Sequence, residues 1–333
     1  MARANPPAMA GQFHANFIGG ISQAFDNEKS FSISEPAENQ LRISMLESGW
    51  MMNNITLLDV EELQGQCIEI GESTLYTGRS INGRFNREMK VSGSDYSLAD
   101  TDSCASLSYE RMSTIANIGG IEHFTQTVSD FFGMAISLDM LRVGLNGQRI
   151  AYPTDPIANP KGEDVNIGWH TIAKDFNNGS QVITDELTLG EGGEFPHLDA
   201  LANHLITEKI PEAYREDPRL VVMVGAELAA AERLRLFNAA DRPADTAAAQ
   251  MLMGSVAGRF AFVPPFMPGK RLAVTTLSNL HIYTQKGSRR FRAEFVEDRS
   301  AYEHSYLRNE GYALGNGFLY AAVDEAAITL AKK

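Results

Sequence analysis

The chain has 333 residues and a formal net charge of −13, enough for one large domain or two ordinary ones. It has no apolar run of about 18 residues to span a membrane and no cluster of consecutive Lys/Arg of the kind that grips phosphate. Cys67 and Cys104 are too few for a disulfide scaffold, and the first residues lack the apolar stretch of a signal peptide, so a reducing, cytosolic setting is expected.

Residues 1–43, rich in Asn, Gly, Pro and Ser, read as an extended arm. Ser44 followed by Glu47 is a capping box that predicts a short helix through Met52. Ile55–Leu58 and Cys67–Ile70 have the apolar character of strands. From Gly71 to Ser108 the chain turns polar and glycine-rich. A structureless loop of that length is improbable inside a compact domain, so a projecting β-hairpin is expected. Its middle carries Arg79, Arg84, Arg87 and Lys90 against one acid, Glu88. Cys67 and Cys104 then fall near the hairpin base, where they could face each other, though a reducing compartment argues against a bond.

The next segment is the most informative. Ile121, Phe124, Val128, Phe131, Ala135 and Leu138 recur with the helical period between Gly119-Gly120 and Asn146-Gly147. Ile121 to Gly144 would span roughly 36 Å as one helix. Ala151–Gly162 has three prolines and marks a hinge or boundary. Asp164 is expected to cap a helix running through Trp169 to Phe176. Leu198, Leu201, Leu205 and Ile206 predict a helix before Pro211, Leu220–Val224 a buried strand, and Glu227–Phe237 a short helix. Arg242–Ala249 reads as a connector. Strands follow at Arg259–Val263, Arg271–Thr275, Asn279–Thr284 and Arg289–Val296, and Tyr306 to Val323 is expected as a strand bent at Gly311 and Gly315.

The motifs of catalysis and ligand binding are missing. No HExxH and no Cys–His spacing for a metal occurs, and His197 and His204 are better read as surface or interface residues. Gly190–Phe195 (GEGGEF) lacks the Lys-Ser/Thr of a phosphate loop and reads as a turn. Val221–Gly225 has one glycine where a dinucleotide fingerprint needs several. GxSxG is absent. Asp100 and Asp102 are expected to be solvated, and Gly287–Arg292 (GSRRFR) to be a solvated strand face. No catalytic, cofactor or metal residue is assigned, and an enzyme is not expected.

Seven segments in order carry a resemblance: EPAENQLRISMLES (Glu35–Ser48), SLDMLRVGLNG (Ser137–Gly147), NPKGEDVNIGW (Asn159–Trp169), GEGGEFPHLDA (Gly190–Ala200), REDPRLVVMVG (Arg215–Gly225), LSNLHIY (Leu277–Tyr283) and RRFRAEFVEDRSAYEHSY (Arg289–Tyr306). Together they resemble the major capsid proteins of peduovirus-type tailed phages, from about residue 30 onward. The resemblance implies an α+β fold of the Hong Kong ninety-seven type. Its parts would be an N-terminal arm (1–43), a first part of the peripheral domain (44–66) and an extended hairpin, the E-loop (67–108). The peripheral domain with its spine helix (109–150), an axial domain (151–301) and a return to the peripheral domain (302–333) would follow.

The function so implied is a shell subunit that self-assembles into hexamers and pentamers of an icosahedral phage head around double-stranded DNA. It would belong to the virion and be assembled in the host bacterial cytoplasm. Decoration, scaffolding and portal proteins are the implied partners, DNA would be enclosed without sequence-specific binding, and no cofactor and no membrane are involved. Arg79, Arg84, Arg87 and Lys90 are the expected assembly contacts. Two alternatives remain: an encapsulin-like nanocompartment shell on the same fold, and an α/β hydrolase or transferase with an unrecognised site.

Overall fold

A computed structural model describes residues 31–32, 51, 54–70, 75–81, 83–87, 91–108, 132–239 and 254–331. The expected helix at 44–52, the first half of the helix expected from 121, Lys90 and the connector 242–249 therefore lie largely or wholly outside the described residues. The chain divides into two compact units. One draws on the segments ending at Leu63, Leu98–Leu141 and Tyr283–Gly311. The other draws on Gln64–Ser97, Arg142–Ile282 and the segment beginning at Tyr312.

The first unit is built on a six-stranded sheet in the order Phe31–Ser32, Arg290–Val296, Ala301–Leu314, Leu280–Gln285 and Thr56–Val60, with Ala99–Ser108 also paired to Ala301–Leu314. The 14-residue strand Ala301–Leu314 is the spine of the sheet. Tyr302 pairs with Phe295 on one edge and with Leu107 on the other, both antiparallel. Phe132, Phe291 and His304 pack ring against ring beside it, at centroid distances of 5.2–5.8 Å.

The stretch expected as one hairpin over 67–108 divides at Leu98. Gln64–Ile70 pairs antiparallel with Val91–Ser97, placing Cys67 opposite Ser94. Ala99–Ser108 instead joins Ala301–Leu314, placing Cys104 opposite Ser305. The two cysteines thus do not occupy facing positions. The physical reason is a period-two pattern: Thr101, Ser103, Ala105 and Leu107 are half-buried while Asp100, Asp102, Cys104 and Ser106 face water. Small and polar residues on the inner face disguised it as a polar loop.

The second unit holds a mixed six-stranded sheet, ordered Val182–Ile183, Ala321–Val323, Leu272–Thr276, Leu220–Val224, Arg259–Phe262 and Ser255–Val256. Every residue of the two central strands is buried. The helix Leu198–Lys209 lays Leu198, Leu201, Ala202, Leu205 and Ile206 into this core against Val222, Val224, Leu272 and Val274. Their spacing is one helical face, and each large side chain so buried stabilises by about 1.5–3 kcal/mol.

Residues 132–146 are helical, and the Gly147 N–H donates to Val143 O at 2.7 Å just past the end. Gly144 sits under the Trp169 ring, where a Cβ would come within 2.4 Å of it. Trp169 opens the helix Trp169–Asp175, whose N-cap is Gly168, with no side-chain cap. The expected cap Asp164 has another role. Its buried carboxylate accepts from the Asp155 N–H at 2.7 Å and so closes the preceding loop. The strand expected to bend at Gly311 and Gly315 continues through Gly311 and ends at Leu314, just before Gly315, and Ala321–Val323 joins the other sheet after a short 3-10 turn at Gly317–Leu319.

Candidate assembly surfaces

Beyond the ladder at Ile70↔Val91, the hairpin continues through residues 75–81 and 83–87, all of them exposed. Arg79, Arg84 and Arg87 are exposed here, while Lys90 lies outside the described residues. Two contacts keep the limbs side by side. Arg87 Nη1 donates to Leu75 O at 3.2 Å, and the Phe85 ring lies over Gly78, where a Cβ would come within 2.7 Å of it.

The same stretch also presents large apolar side chains. Ile81 is fully exposed, Leu75 is 72% exposed, and Tyr76 and Phe85 are about two-fifths exposed. The signal was in the sequence as four apolar residues within a polar segment, but without regular spacing they suggested no face.

At the hairpin base Cys67 is buried, its Sγ 4.0 Å from His281 Nδ1 and 3.9 Å from Gly315 O. Cys104 is exposed. The GSRRFR segment is not a uniform solvated face: Arg290 and Arg292 are exposed, but Arg289 is buried and its Nη2 donates to Asp59 Oδ1 at 2.5 Å.

One polar cluster has the composition of a metal site. His170, Asp324 and Glu325 bring ligand atoms within 4.8 Å of one another. The protein's own donors already fill the place. His170 Nε2 and Lys174 Nζ both meet Asp324 Oδ2, and Arg271 grips Glu325 with two bonds of 2.8 and 2.9 Å while donating to Leu145 O. Burial pulls His170 down to about 4, so the neutral ring donates to Asp324 and its Nδ1 accepts from the Tyr320 hydroxyl at 3.3 Å. The His170 hydrogen bond holds the Asp324 carboxyl well below the carboxylate range, aided by Lys174. The arrangement locks the turn after Ala321–Val323 to the helix ends rather than binding an ion.

The other suspected motifs also serve the fold. His197 caps its helix by accepting from the Ala200 N–H at 3.1 Å, and His204 packs on Phe195. GEGGEF is a turn with Gly190 and Gly192 at positive φ. Gly225 is required by packing, since a Cβ would lie 2.3 Å from the carbonyl oxygens of Pro268 and Gly269. A cavity of about 390 Å³ lined by Leu198, Val224, Leu236 and Val256 engages its acids internally: Asp199 accepts from the Ala257 N–H, and Glu232 pairs with Arg235.

Among the described residues the geometry therefore offers exposed surfaces and no assembled reaction centre, and relatedness agrees. The family model for the phage major capsid protein, P2 family, matches residues 14–326. The chain belongs to that family. The P2-family chain is 26% identical to the capsid proteins of Escherichia phage P2 over 290 residues, 82% of this chain and 80% of the relative. It is 22% identical over 278 residues to the major capsid protein of Serratia phage KSP20, 78% of each. Among solved structures, the satellite phage P4 procapsid, which includes its size determination protein, superposes with a TM-score of 0.75 at 23% identity, covering 96% of this chain and 98% of that one. That likeness shows the α+β phage-capsid fold expected from the sequence. The family is structural and not enzymatic, so the chain is a major capsid protein of a phage head, a component of the virion. Membership favours the phage shell over the nanocompartment and over the hydrolase or transferase.

Proposed function

We propose that this capsid protein closes into an icosahedral head of hexamers and pentamers, assembled in the host bacterial cytoplasm around double-stranded DNA. The arm 1–43, the E-loop, the peripheral domain with its spine helix and the axial domain are the working parts. Scaffolding, portal and decoration proteins are the proposed further partners. The observation that carries the reading is the P2-family match over nearly the whole chain. The exposed hairpin supports it, because a projection that buries little of its own surface gains order from neighbours.

Assembly through many weak contacts suits such a subunit, since each contact makes the next effectively intramolecular. Arg79, Arg84 and Arg87 form the basic end of the hairpin, and Lys90 follows it in sequence. We assign them to an acidic surface on the adjacent copy, each exposed pair contributing about 0.2–1 kcal/mol. DNA is confined rather than gripped, consistent with a net charge of −13. The test is negative-stain microscopy and mass photometry of protein expressed with the phage's own assembly factors. Closed shells are expected; small oligomers alone would overturn the reading.

A further inference from the structure

The connection between the helices at 132–146 and Trp169–Asp175 is an ordered loop bonded to itself. The N–H groups of Gln148 and Arg149 donate to Glu163 O, Ala151 N–H to Asp164 O, Asn159 N–H to Asp155 O and Gly162 N–H to Asn159 O, at 2.8–3.1 Å. Asp155 Oδ1 accepts from the N–H groups of Ile157 and Ala158 at 2.9 and 3.1 Å, and the buried Asp164 carboxylate fixes Asp155 from behind. Yet this fixed frame holds Tyr152 100% exposed, Ile157 92% and Ile150 46%. The hydrogen bonds that close the loop run through its backbone and through Asp155 and Asp164, not through these side chains. Large apolar side chains held rigidly in water mark a surface preorganised for a partner.

We propose that this loop is the seat of the hairpin tip of a second copy, with Tyr152 and Ile157 receiving Ile81 and Leu75. This rests on the reading above that the hairpin docks on a neighbour, and it names the place. The chain belongs to a shell-forming family, so copies of itself are the surface each subunit meets. Two exposed apolar sets on one chain, Leu75–Phe85 and Ile150–Ile157, cover each other when copies meet. Because the sets differ, the contact is head to tail, the geometry that closes rings. The hairpin has the reach: from Gln64 to Ile81 it extends at most about 60 Å.

The test uses shells co-assembled from equal amounts of two chains. One is light and carries the photo-crosslinker Ile81→p-benzoylphenylalanine; the other is unmodified and isotopically heavy. After irradiation the light position 81 is expected to be joined to the heavy peptide containing Tyr152–Ile157. A link to a heavy peptide elsewhere overturns the seat and leaves hairpin docking standing. Links within the light chain only, or none, overturn both. In parallel, Tyr152→Asp with Ile157→Asp should lower shell yield at least tenfold with unchanged circular dichroism, while Tyr152→Phe assembles normally. Full yield from the aspartate variant would also overturn the seat. If that variant misfolds, the crosslink decides alone.

Discussion

Arg308 and Glu310 stand two positions apart on one face of Ala301–Leu314, each side chain 3% exposed, joined Nε to Oε2 at 2.5 Å. Arg308 also donates to Ser103 Oγ at 2.9 Å, tying its strand to Ala99–Ser108. Removing one partner strands a buried charge, so Glu310→Ala should cost about 3–5 kcal/mol in urea unfolding, whereas the apolar pair Arg308→Met with Glu310→Leu should cost clearly less. An equal loss for both variants would show that the charges matter beyond their mutual pairing. His170 makes a second residue-level prediction. Burial, with Lys174 and Arg271 nearby, lowers its folded value to about 4 from an ordinary 6.5. A lowered value favours the neutral ring in the fold. Its contribution, roughly 3 kcal/mol, is full above pH 6.5, declines as pH falls toward 4, and is gone below. The Asp324 carboxyl is held low by His170 and Lys174. Burial works to raise Glu325, but the hydrogen bond and charge of Arg271 prevail and lower it. Their contributions persist to about pH 4 and fade below it. The unfolding midpoint should therefore fall between pH 6.5 and 4, and His170→Gln should flatten that slope; parallel slopes would refute the assignment.

At the scale of elements, the hairpin tip is the place where sequence change should act on assembly without acting on folding. Arg84→Glu with Arg87→Glu reverses two exposed charges and removes one bond to Leu75 O. Shell yield should fall or become sensitive to ionic strength, as contacts between exposed charges are screened by salt. Circular dichroism of the subunit should stay unchanged. Equal yield across a salt series would make these residues ordinary solvated ones. Strand register gives a further prediction. With Cys67 opposite Ser94 and Cys104 opposite Ser305, Cys104→Ser should shift stability by no more than about 0.5 kcal/mol, and reducing agent should leave the melting of wild-type shells unmoved. Elements with a strong period were legible beforehand: the helix Leu198–Lys209 and the buried strand Leu220–Val224 lie where their apolar spacing put them. Ala99–Ser108 was not, because its inner face is small and polar and its partner lies some two hundred residues away. Asp164 shows a related ambiguity, since a carboxylate ahead of a helix can serve a loop as well as a cap. The basic hairpin residues were visible as charge, but the exposed Tyr152 and Ile157 were not, because exposure is a property of the folded loop.

For the whole molecule, the net charge of −13 predicts that the free subunit has no tight affinity for duplex DNA with a steep salt dependence; electrophoretic shifts across a salt series would reveal one. Fold class and membership in a shell-forming family were legible because seven segments recur in order along the chain. The partition into units was less so, because contact, not order in sequence, defines it. The chain passes between the two units five times, at Leu63, Ser97, Leu141, Ile282 and Gly311. A recombination event with a relative's gene at any codon from 64 to 310 leaves both units assembled from two parents, so every core must accept foreign partners at once. Hybrid genes should thus survive mainly when the crossover lies near either end, and neither unit can be exchanged as a cassette.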